Sequence, residues 1–396
     1  MKNGVEYMES GLTDLYGNKA KDDLMTIESA VQFLEQEAKP RTFSEILRKV
    51  GAPDNAKELL IAGLKEKNPA LKEDSAKKNV RSWFQGSHNL EKATAFDACL
   101  ILHFSPEQAD EFVSRIFDMR LHWREPEEIV FLYALMHGYS CAQFVKLRQD
   151  MVSYFPKEEN REKPSAANMT ALIKEKVVAL HSEQELKDFL RDSGPELGSL
   201  HNTAFSLFDD RLKQLEKPEQ VYEGALEEKL TIREILREYM FGNNVLYAKE
   251  IARKTRKGEL SAEDGLILST IQKNVSDSWP NEATISKMRS RKIDVTRKAL
   301  ILLLLATDKG FQKIDQETGE EDDEYVPSKE EAYEDICGRM RNSLQSCGFP
   351  ELDPRSQFDW MILYGICVQD LFEADLRMRG LFRTMFGERP EDGPGN

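Results

Sequence analysis

With 396 residues the chain can bury more than one core, since single cores stop growing at roughly 250 to 300 residues, and two or three helical subdomains are expected. Its 40% hydrophobic and 32% charged residues suit a globular protein, and its longest apolar run, 299–306, is far below the ~18–20 residues that cross a bilayer, which excludes a membrane span. The net charge of −15 excludes broad, nonspecific attraction to phosphate backbones, so any nucleic-acid contact has to be local.

The first residues, MKNGVEYMESGLTDLYGNKAKDD, include acids and lack the apolar centre of a signal peptide, and a cytoplasmic location is expected. The five cysteines (Cys99, Cys141, Cys337, Cys347, Cys367) form no CxxC pair and mostly sit among apolar neighbours, as buried thiols in a reducing compartment do.

In chain order, residues 1–41 carry one amphipathic segment, 24–37, with Ile27, Val31 and Leu34 at helical spacing, and are read as a leader helix. Thr42 with Glu45 has the capping-box spacing and opens a helix that stops at Gly51-Ala52-Pro53. Leu59, Leu60 and Leu64 mark a second helix ending near Asn68-Pro69. Residues 75–84 form a third with Val80 and Trp83 turned inward, closed by Gly86. Ser105-Pro106 is a strong start signal, and apolar helices follow over 127–137 and 140–154. These elements make 42–155 one module with a helical extension, bounded by a charged, proline-bearing linker at 156–170.

Beyond the linker a helical spacer spans 171–230, with Ser182 and Glu185 as a capping pair and a break at Gly194-Pro195. A second module covers 231–310, where Thr231 to Arg237 repeats the order of Thr42 to Arg48 and Gly242 stands as terminator. An acidic loop (311–327) follows and lacks the ordered ligands of a calcium loop. A C-terminal helical region (328–387) and a tail (388–396) complete an all-α, multi-subdomain chain with no segment of sustained alternating pattern.

The two modules echo one another at Val80, Trp83, Leu90 and Lys92 against Ile285, Met288, Val295 and Arg297, each pair 205 positions apart, whereas Thr42 and Thr231 are 189 apart. Either the chain is duplicated with 16 extra residues in the second copy, for which 256–261 is a natural place, or common helical words coincide. Two basic islands lie on the same stretches: seven basic against four acidic residues from Lys65 to Lys92, and seven against three from Lys273 to Lys298.

This third-helix, turn, fourth-helix pattern over about 42–104 and 231–306 resembles the phage-repressor (Xre-like) helix-turn-helix family, whose third helix enters the major groove. The resemblance implies that Lys77, Lys78, Arg81, Ser82 and Gln85, and in the second copy Thr284, Ser286, Lys287, Arg289 and Arg291, face out toward bases and phosphates. It places Lys92 and Arg297 beside the phosphates at the start of the fourth helix. Two departures stand: Asn68-Pro69-Ala70-Leu71 is longer than the family's tight turn, and the second copy has no glycine matching Gly86.

Other constellations point elsewhere. Arg115 and His122, six residues apart between them, resemble the ribonuclease motif of HEPN-type helical toxins, in which histidine works near its own pKa. Cys99 and His103 have the four-residue spacing of two metal ligands on one helix face, with no second pair nearby. Trp123, Phe131, Tyr133 and Tyr139 suit a core better than a base-stacking platform. The expected function is DNA-linked transcription regulation, with duplex DNA as partner and no enzyme activity, cofactor or metal. The alternatives are a helical scaffold that binds a protein partner on the same fold, and a HEPN-like ribonuclease.

Overall fold

A computed structural model of the chain describes residues 2–85, 90–155, 169–197, 202–217, 229–261, 272, 275–308, 327–368 and 371–387. Among these the fold is all-α, with no strand, and no helix is long and apolar enough to cross a membrane. Gly86, the expected linker up to residue 168, the acidic loop up to residue 326 and the tail 388–396 lie outside the described residues.

The chain divides into two compact units. Unit 2 is Arg41–Leu200 with Gly348–Pro350, and unit 1 is Met1–Pro40, His201–Cys347 and Glu351–Asn396. The division differs from the one expected at the linker: the helices after it complete unit 2, so the spacer over 171–230 is split between units.

In unit 2 the helices are α3 (Phe43–Lys49), α4 (Ala56–Lys67), α5 (Glu73–Phe84), α6 (Lys92–Ile101), α7 (Pro106–Phe117), α8 (Pro126–Met136), α9 (Cys141–Met151), α10 (Met169–Val178) and α11 (Glu183–Asp192). Thr42, Ser105 and Ser140 each accept from the third-residue amide while the residue-three side chain returns the bond to the cap, as their spacing requires. Helix α8 buries every residue from Ile129 to Leu135, so it cannot be a surface helix and forms the centre of the core. Phe131 stacks on Phe96 of α6 at 3.8 Å, and Val80 and Trp83 of α5 join the same cluster from outside.

Unit 1 holds α1 (Lys2–Ala20), α2 (Ile27–Gln32), α12 (Asn202–Glu216), α13 (Ile232–Glu238), α14 (Gly242–Arg256), α15 (Glu282–Arg289), α16 (Arg297–Ala306), α17 (Lys329–Ser346), α18 (Gln357–Ile366) and α19 (Leu371–Phe386). Thr231 and Ser328 carry the same reciprocal cap. Its most buried helices are α16 and α18, in which Lys298, Leu305 and Gln357 alone are partly exposed. The leader is two helices, not one. Helix α1 contains Gly4, Gly11 and Gly17, which weaken intrinsic helix preference; tertiary contacts support it, with Tyr16 and Ala20 buried and the Trp360 indole donating to the Tyr16 carbonyl at 2.8 Å. After α2 the chain widens into a π turn, Phe33–Glu37, closed by the Ala38 amide donating to the Phe33 carbonyl.

Gly242 is not a terminator. Helix α13 ends at Glu238, Phe241 takes the left-handed conformation (φ 53°), and Gly242 begins α14 where an added Cβ would meet the Leu236 carbonyl oxygen at 3.1 Å.

The two units carry one residue pattern around a buried helix. Around their central helices, Leu121, Arg124, Glu128, Leu132 and Tyr133 match Leu352, Arg355, Asp359, Leu363 and Tyr364, every pair 231 positions apart. All but the half-buried Leu352 are buried, including both arginines at 8% and 3% exposure.

Candidate nucleic-acid interface

Helix α5 turns Ala76, Val80 and Trp83 into the core, and helical geometry therefore carries Lys77, Arg81 and Gln85, four residues apart, along the opposite side with Lys78 beside them. All four are exposed. Lys77 pairs with Glu73 at 2.8 Å, one turn back, and Lys65 reaches the same carboxylate at 3.4 Å. Those two ammonium groups hold the Glu73 carboxyl below its usual range. Lys78 and Arg81 form no ion pair among the described residues. Ser82 is half-buried and donates to the Asn79 carbonyl at 2.7 Å, so its hydroxyl is engaged with its own helix.

Lys92 does not stand free at the start of α6. Its ammonium lies 2.5 Å from Glu128, whose side chain is 5% exposed at the third position of α8. The other Glu128 oxygen accepts the His122 amide. Burial pushes the Glu128 carboxyl above its ordinary range, against the opposing pull of Lys92 and that amide. Lys67, counted in the same basic island, is spent on the buried Asp97 at 2.6 Å.

The second copy departs further. Arg297, the counterpart of Lys92, is buried and bidentate to Asp359 at 2.8 and 2.7 Å, with a third bond to the Glu351 carbonyl at 2.9 Å. Asp359 occupies the third position of α18 and its second oxygen also accepts the Asp353 amide at 2.9 Å, which reproduces the His122–Glu128 bond 231 positions on. An anion at that position also faces the free amides and positive end of its helix. Both cations therefore pair with a buried carboxylate of another helix, Arg297 fully enclosed and Lys92 still partly exposed.

Arg289 grips Glu216 of α12 at 2.5 and 3.3 Å. Burial raises the Glu216 carboxyl, but Arg289 and Lys229 outweigh it and the net direction is down. Arg291 has φ 56°, donates to the Asn202 side chain and lies 4.6 Å over the Phe205 ring. Thr284 is bound into the cap at Asn281. Of the second set, Lys287 and Ser286 remain exposed. The ion-pair partners Glu128, Asp359 and Glu216 were missed from sequence because they lie 36, 62 and 73 positions from their cations.

The other constellations lie on unlike elements. Arg115 lies on α7 and pairs with Glu111 at 2.6 Å, while His122 lies beyond the end of that helix, past a left-handed Asp118. Cys99 is fully buried within α6 and its thiol is pushed up by that burial, whereas His103 follows the helix end with φ 52° and is exposed, so the two do not share a helix face. No group of three or more His, Cys, Asp or Glu residues among the described residues could hold a metal. All five cysteines are free thiols. Trp123 takes a cation–π contact from Lys174 at 5.1 Å, and Phe131 and Tyr133 are core residues.

Compared with protein-family models, with curated proteins and with solved structures, the chain matches none.

Proposed function

We propose that unit 2 binds duplex DNA as a regulatory protein, through the outward face of α5, and that the matching helix of unit 1 is structural. What supports this reading is the contrast in the fate of the cations: Lys77, Lys78 and Arg81 stay at the surface of α5, with the neutral Gln85 exposed at its end, whereas Arg289, Arg291 and Arg297 are committed to partners inside unit 1. Phosphate contacts through lysine and arginine supply the affinity, and side chains such as Arg81 and Gln85 are of the types that read base edges. The patch is small, in keeping with a local contact on an acidic chain.

A second reading, a scaffold that binds a protein partner, is favoured by Glu73 and Asp74, which occupy the first turn of α5, where a groove-entering helix would meet phosphates. Fluorescence anisotropy with a labelled random duplex at low salt separates the two. Binding that is lost when Lys78 and Arg81 are reversed to glutamate supports the DNA reading, and an absence of binding by the wild-type chain overturns it in favour of the scaffold.

A further inference from the structure

The segment preceding each repeated half carries a second, independent correspondence. Thr26 caps α2 and Ser182 caps α11, each accepting from the amide three residues on. Seven residues after each cap stand the same two residues, Phe33-Leu34 and Phe189-Leu190, all buried. Both segments are helix, bend, capped helix, then a tightened or widened last turn.

Each segment is gripped at its far end by matching arginines just ahead of a central helix, and at its bend by a residue that differs between the two, Tyr364 on one central helix and His137 at the end of the other. At the far end, the Arg355 guanidinium donates to the Lys39 carbonyl at 3.4 Å, and its counterpart Arg124 donates to the Glu196 carbonyl at 2.7 and 3.0 Å. The two carbonyls lie 13 and 14 residues beyond their caps. At the bend, the Tyr364 hydroxyl donates to the Met25 carbonyl at 3.0 Å, and His137 Nε2 lies 2.9 Å from the Leu180 carbonyl. Between these ends Phe33 packs on Trp360 with ring centroids 4.8 Å apart, and Ile27 lies so close to Gly380 that a Cβ there would come within 2.3 Å of it. Ile173, Val177, Leu186 and Leu190 fill the corresponding place in the unit 2 core.

The pairing crosses the chain order. The segment ending at Lys39 runs directly into unit 2 yet packs on α18 and α19 of unit 1. The segment ending at Glu196 precedes the second half in sequence yet packs on α8 of unit 2. We propose that 1–40 and 169–197 are two copies of one docking arm, that each half of a duplicated chain receives its arm beside its central helix through a corresponding buried arginine, and that each arm closes the half it does not immediately precede. The arms are thus straps: the first forty residues hold unit 1 shut, and the segment after α9 holds unit 2.

Hydrogen exchange on the full chain tests the crossing, because weakened packing raises exchange in the elements that the packing held. Phe33→Ala is expected to speed exchange about tenfold or more in α18 and α19 while α3 to α6 keep wild-type protection. Phe189→Ala is expected to do the same to α8 and α9 and to leave α13, α14 and α18 unchanged. If either alanine variant fails to fold, Phe33→Leu and Phe189→Leu give the same readout at lower amplitude. Loosening of the half that each arm immediately precedes, equal loosening of both halves by one variant, or no local change overturns the proposal.

Discussion

The two similar helix pairs, one in each unit, solve one structural problem with different residues. At the start of α6 a lysine with a side chain 42% exposed meets the buried Glu128; at the start of α16 an arginine 5% exposed meets Asp359, itself 1% exposed. Lysine, on a long flexible stem, keeps part of itself in water, whereas the planar guanidinium satisfies a carboxylate and a carbonyl together and can be fully enclosed. The second copy carries this further, with Arg289 and Arg291 also turned to internal partners. Similarity of scaffold therefore says little about which surface is left to act.

The largest expected effect falls on the enclosed pair. Arg297→Met should cost about 3–5 kcal/mol, since it strands a buried charge, and Lys92→Met should cost clearly less, because Lys92 is already partly in water and Glu128 can take up a proton. Urea midpoints of the two variants measure the difference. Equal destabilisation would break the contrast between an enclosed and a half-open pair.

Next comes a pH trend confined to the first copy. Because burial raises the Glu128 pKa in the fold above its unfolded value, the wild-type chain loses stability from this group as pH rises from the unfolded pKa toward the folded one. A Glu128→Gln chain lacks that loss, so its stability relative to wild type should increase as pH rises from the ordinary carboxylate range toward the raised folded value, by about 1.4 kcal/mol for each pH unit separating the two. A relative stability that falls with pH would mean that Lys92 and the His122 amide dominate burial.

The smallest effect should be shared. Thr42→Ala and Thr231→Ala each remove one half of a reciprocal cap and should each cost about 1 kcal/mol by denaturant titration. Unequal costs would show that the two opening helices are not held in the same way.

The caps at Thr42, Ser105 and Ser182 were legible because they depend on residues three positions apart, and the all-α class followed from periodicity. Helix α1 was not, since its glycines mask a helix that is held by Trp360, 344 positions away. Exposure of the α5 face followed from Val80 and Trp83 pointing inward. The fate of Lys92, Arg289, Arg291 and Arg297 did not, since a cation's partner is set by tertiary packing and local charge counting treats every arginine as available. The pattern Leu-x-x-Arg-x-x-x-acid-x-x-x-Leu-Tyr, present at 121–133 and 352–364, held the missing signal for two of the four.

If surface availability, and not sequence similarity, decides which copy meets DNA, the salt dependence of duplex binding shows it most directly in three chains: wild type, Lys78→Glu with Arg81→Glu, and Lys287→Glu. Wild-type affinity is expected to fall linearly on a log–log plot, the α5 double variant to bind weakly with a slope shallower by roughly one for each phosphate it no longer neutralises, and Lys287→Glu to follow wild type. Equal weakening by the α5 double variant and Lys287→Glu, or no salt-dependent affinity in the wild-type chain, would contradict the account.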